Sequence, residues 1–265
     1  MAERDTVGEK FYTPVRISET VGSVLFWLGI PLSIAMFFIN EPWVAGFFGK
    51  RFAELLSDGL QSLFLTLSVT LFVQGLAHRL YFLPRAEDAR RTNMLSNAFG
   101  VPLSHEVTVG YYNNDLSDPV PCLAANCMES AFFTKELARR MLAWTRTVSA
   151  VYLTVYLFLL LTRRVDVGMI ELAAGVVFSE EVVARWMRLE FLRRRSEEVF
   201  ERFRDIFAWN QSFWDDSRRA QVIRQFAFYE TTKAVAAIPI SSKVFKSLNP
   251  KLSTEWDKIR EDCGF

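Results

Sequence analysis

Two patches in the middle of the chain combine residue types able to hold a nucleotide. Arg90 and Arg91 stand on a helical stretch with Asn93 and Asn97, and Tyr111-Tyr112-Asn113-Asn114-Asp115 follows some twenty residues later. Aromatic faces stack on bases, guanidinium groups take phosphates, and amide and carboxylate side chains read polar base or ribose edges. The same residues have a plainer use. Asn-Asn-Asp is ordinary turn chemistry, and an arginine pair is an ordinary solvated helix face. Two further polar residues, Gln74 and Glu171, lie in apolar sequence. A carboxylate in a membrane span is costly and faces either a cavity or a partner. Glu171 and Gln74 are therefore candidate pore-lining residues, with interface pairing and ordinary helix packing as the alternatives.

Catalytic patterns are missing. There is no HExxH, GxSxG, Walker A loop or CxxC pair. Two histidines (His78, His105) leave little scope for acid–base work. Three cysteines (Cys122, Cys127, Cys263) form neither a disulfide framework nor a tetrahedral zinc set. The expectation is a non-enzyme with no cofactor and no metal. A net charge of +1 in 265 residues gives no reason to expect direct DNA binding.

Apolar sequence dictates what must position these residues. Residues 20–40 and 59–77 hold no charged side chain or histidine, and about 20 apolar residues in a helix cross the roughly 30 Å hydrocarbon core. A shorter run covers 147–162 between Arg146 and Arg163–Arg164, which are placed to snorkel. The weakest run, 167–184, carries Glu171, Glu180 and Glu181. Pro31 should kink the first span. Residues 41–58 alternate Phe47, Phe48, Phe52, Leu55 and Leu56 with Lys50, Arg51 and Glu54, which suits a helix lying on the membrane surface.

The reading is an all-α membrane protein with about four transmembrane helices. A juxtamembrane segment (1–19) leads to a hairpin (20–77), a cytoplasmic insert (78–146), a second hairpin (147–184) and a long helical tail (185–265). Helical spacing predicts helices over 84–99 and 123–144, and 105–112 reads as a short strand or an extended loop. A charged helical region over 178–238 carries Phe200, Phe203, Phe207 and Trp214 on one face, with breaks near Asn210 and Asp215. Lys and Arg number 3, 2, 8, 2 and 16 in the successive polar segments. That alternation places both termini in the cytoplasm.

The insert also carries a resemblance. Tyr111-Tyr112-Asn113-Asn114-Asp115, then Asn126, Glu129, Phe133-Thr134-Lys135 and Met141-Leu142, looks like the YYNN … NxxExxxFTK … ML block of the four-transmembrane pore-forming effectors associated with bacterial SMODS-type nucleotidyltransferases. The segment from Val244-Phe245-Lys246 through Leu252 to Trp256 is similar in character. The close match covers about 30 residues. It implies an antiphage effector that permeabilises the inner membrane when a nucleotide second messenger, such as a cyclic nucleotide, binds. Because four helices alone rarely enclose a water-filled channel, a homo-oligomer is expected. Another class of function suits the aromatic-faced tail, that of a membrane scaffold or sensor subunit recruiting a soluble protein partner.

Overall fold

A computed structural model describes residues 5–39, 46–106, 108, 110–162, 167–177, 179–208 and 214–265. Val107, Val109, Arg163, Arg164 and Asn210 lie outside the described residues, as do 41–45. Among the described residues the long helices are α1 (Gly8–Ile39), α2 (Lys50–Phe99), α3 (Pro119–Leu161), α4 (Val167–Val177), α5 (Arg185–Ala208), α6 (Asp216–Ala236) and α7 (Ser242–Cys263). A π-helical turn over Glu180–Ala184 precedes α5, and no strand occurs among the described residues.

Three of these helices, α1, α2 and α3, are long and apolar enough to cross a membrane. Each also continues without a break into polar sequence. The expected insert helix and third span are one helix of 43 residues, because no Gly or Pro lies between Cys122 and Leu161. Hydropathy changes near Trp144; the backbone does not. Likewise Lys50, which was expected in a surface helix, begins α2 itself, and residues 8–19 belong to α1. A π-helical turn at His78–Phe82 marks the change from apolar to polar sequence in α2. The fourth run is different. Helix α4 has 11 residues, about 16 Å at 1.5 Å per residue. It is too short to cross the hydrocarbon core alone.

The chain divides into two compact units, one of Met1–Val15, Phe82–Trp144 and Met187–Phe265, the other of Arg16–Tyr81 and Thr145–Trp186. The second is the apolar unit. Its helix ends meet in a consistent order. The Gln74 amide donates to the carbonyl and hydroxyl oxygens of Ser18 at 2.6 and 3.0 Å. Farther along, Gly29 approaches Leu67. These contacts make an antiparallel pair of 16–39 and 59–77. The Ser149 hydroxyl donates to the Val182 carbonyl at 3.3 Å, Arg185 pairs with Glu19, and Trp27 packs on Tyr152. Residues 18, 74, 149 and 182 thus share one end of the unit. Its large apolar side chains, among them Phe72, Leu65, Phe158 and Leu161, point outward.

The first unit is a helical body. Its core joins α3 to the three C-terminal helices through Met128, Phe132, Phe200, Phe203, Phe207, Tyr229 and Trp256. The aromatic face expected for partner recruitment lies here: Phe200, Phe203 and Phe207 are buried against the chain's own helices. Phe132 sits 5.7 Å from Phe200 and 6.0 Å from Trp256, ring centre to ring centre. Asp215 caps α6 by accepting from the Arg218 N–H at 2.8 Å, and Gly264 takes the left-handed conformation that closes α7.

Candidate functional site

Arg90 lies on the polar part of α2, one turn after Glu87. Burial pushes its guanidinium toward neutrality, but the Tyr111 ring and the Asp5 carboxylate outweigh that and hold the charge more firmly than usual. Nη2 donates to Asp5 Oδ2 at 2.7 Å. The guanidinium carbon lies 4.2 Å from the Tyr111 ring centre and 5.6 Å from that of Tyr12, within cation–π range. Nη1 is buried and has no hydrogen-bond partner.

Beside it runs a chain of ion pairs. Tyr12 Oη donates to Glu87 Oε1 at 3.0 Å. Lys233 lies 2.9 Å from Glu87 and 2.9 Å from Glu230, and Arg91 donates to Glu230 at 3.0 Å. Burial raises the Glu87 carboxyl, yet the charge and hydrogen bond of Lys233 and the Tyr12 hydrogen bond overcome it and leave the group below its ordinary range. Burial disfavours the Lys233 ammonium, but Glu87 and Glu230 more than compensate. Asp5, Glu87, Asp88 and Glu230 thus surround Arg90, Arg91 and Lys233. A buried charge stripped of its partner costs several kcal/mol, so the cluster holds together or fails together.

The tyrosine–asparagine block packs on α3. Glu129 is buried and accepts from the Asn113 backbone N–H at 3.2 Å and from its amide at 3.1 Å. Burial pushes its carboxyl up to about 7, against the pull of these two bonds. Asn114 donates to Asn126 at 2.7 Å, and Asn126 donates to Asn97 at 2.8 Å. Arg260 reaches the Asn113 carbonyl from α7 at 3.2 Å. Tyr111 and Tyr112 meet edge to face at 4.9 Å. Asp115 is exposed.

The structure therefore brings Arg90 and Tyr111 together and sets Asn113 and Asn114 on α3. Arg91 faces Glu230 instead. Most of these side chains hold the insert's own loop in place. Of the two residues in apolar sequence, Gln74 is bonded to Ser18. Glu171 belongs to α4, but its side chain lies outside the described residues. Sequence reasoning missed Asp5, Tyr12, Glu87, Glu230 and Lys233. Only the i, i+3 spacing of Glu230 and Lys233 hinted at a pair, and nothing local points to Glu87 as their partner.

No group of three His, Cys, Asp or Glu able to hold a metal occurs among the described residues, and Cys122, Cys127 and Cys263 are all buried. The chain matches no protein family, no curated protein and no solved structure.

Proposed function

We propose that this chain is an oligomeric membrane effector that permeabilises the bacterial inner membrane under the control of a nucleotide second messenger. The observation that carries the reading is the outer face of α2. Gln61, Ser62, Thr66 and Thr70 are exposed there, in the apolar part of a helix that buries none of its span. Thr66 and Thr70 donate to the carbonyls one turn back, so the stripe is tolerable in lipid and available to a neighbour. Small and hydroxylated side chains favour helix–helix contact in a bilayer. Copies of α2 side by side would turn that stripe toward a shared, wettable axis.

The topology fits four crossings. The common end formed by residues 18, 74, 149 and 182 supports two hairpins, the second returning through 167–184. The lysine and arginine counts favour both termini in the cytoplasm. The resemblance of the tyrosine–asparagine block supplies the nucleotide, and Arg90 with Tyr111 is the pair that fits it. Three of the proposed spans are continuous with helices of the body, so a change in the body has a covalent route to the membrane. The scaffold reading keeps its place as the alternative but loses its motive, since the aromatic face of α5 is internal.

The test is membrane potential and dye entry in bacteria expressing the chain, with and without a constitutively active nucleotidyltransferase. Depolarisation that needs the enzyme is the expected result. Unaltered potential with the protein present in the membrane would reject the reading.

A further inference from the structure

The geometry around Arg90 points to a site that the chain fills from within. We propose that the Asp5 carboxylate is a built-in occupant of an oxyanion site on Arg90. A phosphoryl group from solution would displace it and free the first turn of α1. This deepens the gating half of the proposed function and rests on it.

Three observations carry the proposal. First, the site is half used. Asp5 gives one oxygen, Oδ2, to Arg90, because its other oxygen, Oδ1, accepts from the Gly8 N–H at 2.9 Å. Arg90 Nη1 is left buried and without a partner. A phosphoryl group carries enough oxygens to take both guanidinium nitrogens at once, the fork geometry that suits arginine. Asp5 has only one left to offer.

Second, the charge balance makes opening conditional. With Asp5 in place the Arg90 guanidinium is paired with a carboxylate. Asp5 leaving alone would strand a guanidinium that cannot lose its proton. An arriving anion removes that penalty. Asp5 is also the outer partner, its side chain 30% exposed against 11% for Arg90, so displacement can begin from solvent.

Third, the contact is built at a specific place. A Cβ added to Gly8 would lie 2.3 Å from Asp5 Oδ2. Glycine is thus what lets the carboxylate fold back over the helix start. The Asp5 carbonyl also accepts from the Glu9 N–H at 3.1 Å. One side chain therefore ties the beginning of the helix that becomes the first span to α2. Lys10 with Glu106 and Tyr12 with Glu87 hold the turn that follows.

The test uses the purified full chain in detergent micelles, with calorimetric titration of cyclic di-AMP and of inorganic phosphate, and hydrogen exchange at the Gly8 and Glu9 amides. Asp5→Asn and Gly8→Ala both open the clasp without touching Arg90, and an alanine at this helix position does not threaten folding. Each should bind a phosphoryl probe about tenfold more tightly than the unaltered chain, the worth of one charge-assisted hydrogen bond. Gly8→Ala should also lose amide protection at position 8, whereas Asp5→Asn keeps an acceptor oxygen there. Arg90→Lys keeps the charge but not the fork, and should bind more weakly. Binding of phosphate alone would mark a free-phosphate site, and binding of the dinucleotide alone a nucleotide site; both support the displacement. Unchanged affinity in Asp5→Asn and Gly8→Ala would overturn it, as would failure of Asp5→Asn to bind either probe. Tighter binding without membrane leakage would uphold the clasp and reject permeabilisation. Ligand-driven leakage with unchanged affinities would do the reverse.

Discussion

Phe72 and Trp256 are both large, apolar and helical, yet one is two-thirds exposed and the other has no exposed surface at all. The contrast runs through their whole units. In the apolar unit Phe72, Leu65, Phe158 and Leu161 point outward, and small or polar contacts join the helices beside the Trp27–Tyr152 pair: Gln74 to Ser18, Ser149 to Val182, Gly29 beside Leu67. In the body Phe132, Phe200, Phe203 and Trp256 point inward. Hydrophobicity alone does not say which way a residue faces; the solvent does. Water drives apolar side chains together in the body. Lipid removes that drive, so packing and a few hydrogen bonds must hold the apolar unit instead.

The largest expected effect comes from exchanging these two aromatics for alanine. Trp256→Ala should destabilise the body by about 4 kcal/mol, through lost burial and the cavity left behind. Phe72→Ala should change thermal unfolding in micelles by less than about 1 kcal/mol, since a lipid-facing ring has little protein around it. Trp256→Phe should be far milder than the alanine change, because the indole Nε1 has no hydrogen-bond partner to lose. Equal effects of Trp256→Ala and Phe72→Ala would erase the distinction between the units.

Next comes the ionic cluster. Lys233→Met leaves buried Glu87 with the Tyr12 hydrogen bond but without its ion-pair partner and Glu230 with Arg91 alone, and should cost about 3 kcal/mol at neutral pH. Part of that loss should return on acidification, because the Glu87 carboxyl, no longer held down by Lys233, takes up a proton more readily. A deficit that does not shrink on acidification would mean that the cost is not electrostatic.

Glu129 gives a pH signature of similar but smaller size. Its folded value of about 7 lies above the ordinary 4.5, so the folded body holds the proton more tightly than the unfolded chain. The resulting stabilisation is complete below about pH 4.5 and is lost as pH rises through 7, by about 2 to 3 kcal/mol. Denaturant titrations of Glu129→Gln across that window should have lost this slope. An unchanged slope would place the titration elsewhere.

The smallest effect belongs to the apolar unit. Gln74→Leu removes the two bonds to Ser18 and should cost about 1 kcal/mol or less. A loss as large as that of Lys233→Met would show that polar contacts weigh equally in both units.

Much of this contrast was readable from the chain. Uncharged runs at 20–40 and 59–77 marked the apolar helices, and Pro84 with Gly100 bounded the polar end of α2. The spacing of Phe200, Phe203 and Phe207 announced a buried face, though not that the chain itself would cover it. Helix ends were less legible where only hydropathy changed, as at Trp144, since a helix continues through any sequence without a breaker. The candidate site was half visible. Arg90 and Tyr111 stood out by type. Their neighbours Asp5, Glu87 and Lys233 did not, because charges brought together across some 230 residues leave no local pattern.

The most direct test of the account uses purified full-length protein in vesicles of phosphatidylethanolamine and phosphatidylglycerol loaded with carboxyfluorescein. Addition of cyclic di-AMP, inorganic phosphate or products of an active nucleotidyltransferase should release the dye, and Asp5→Asn should release it at a lower concentration. Vesicles that stay sealed under all of these additions, with the protein inserted, would contradict it.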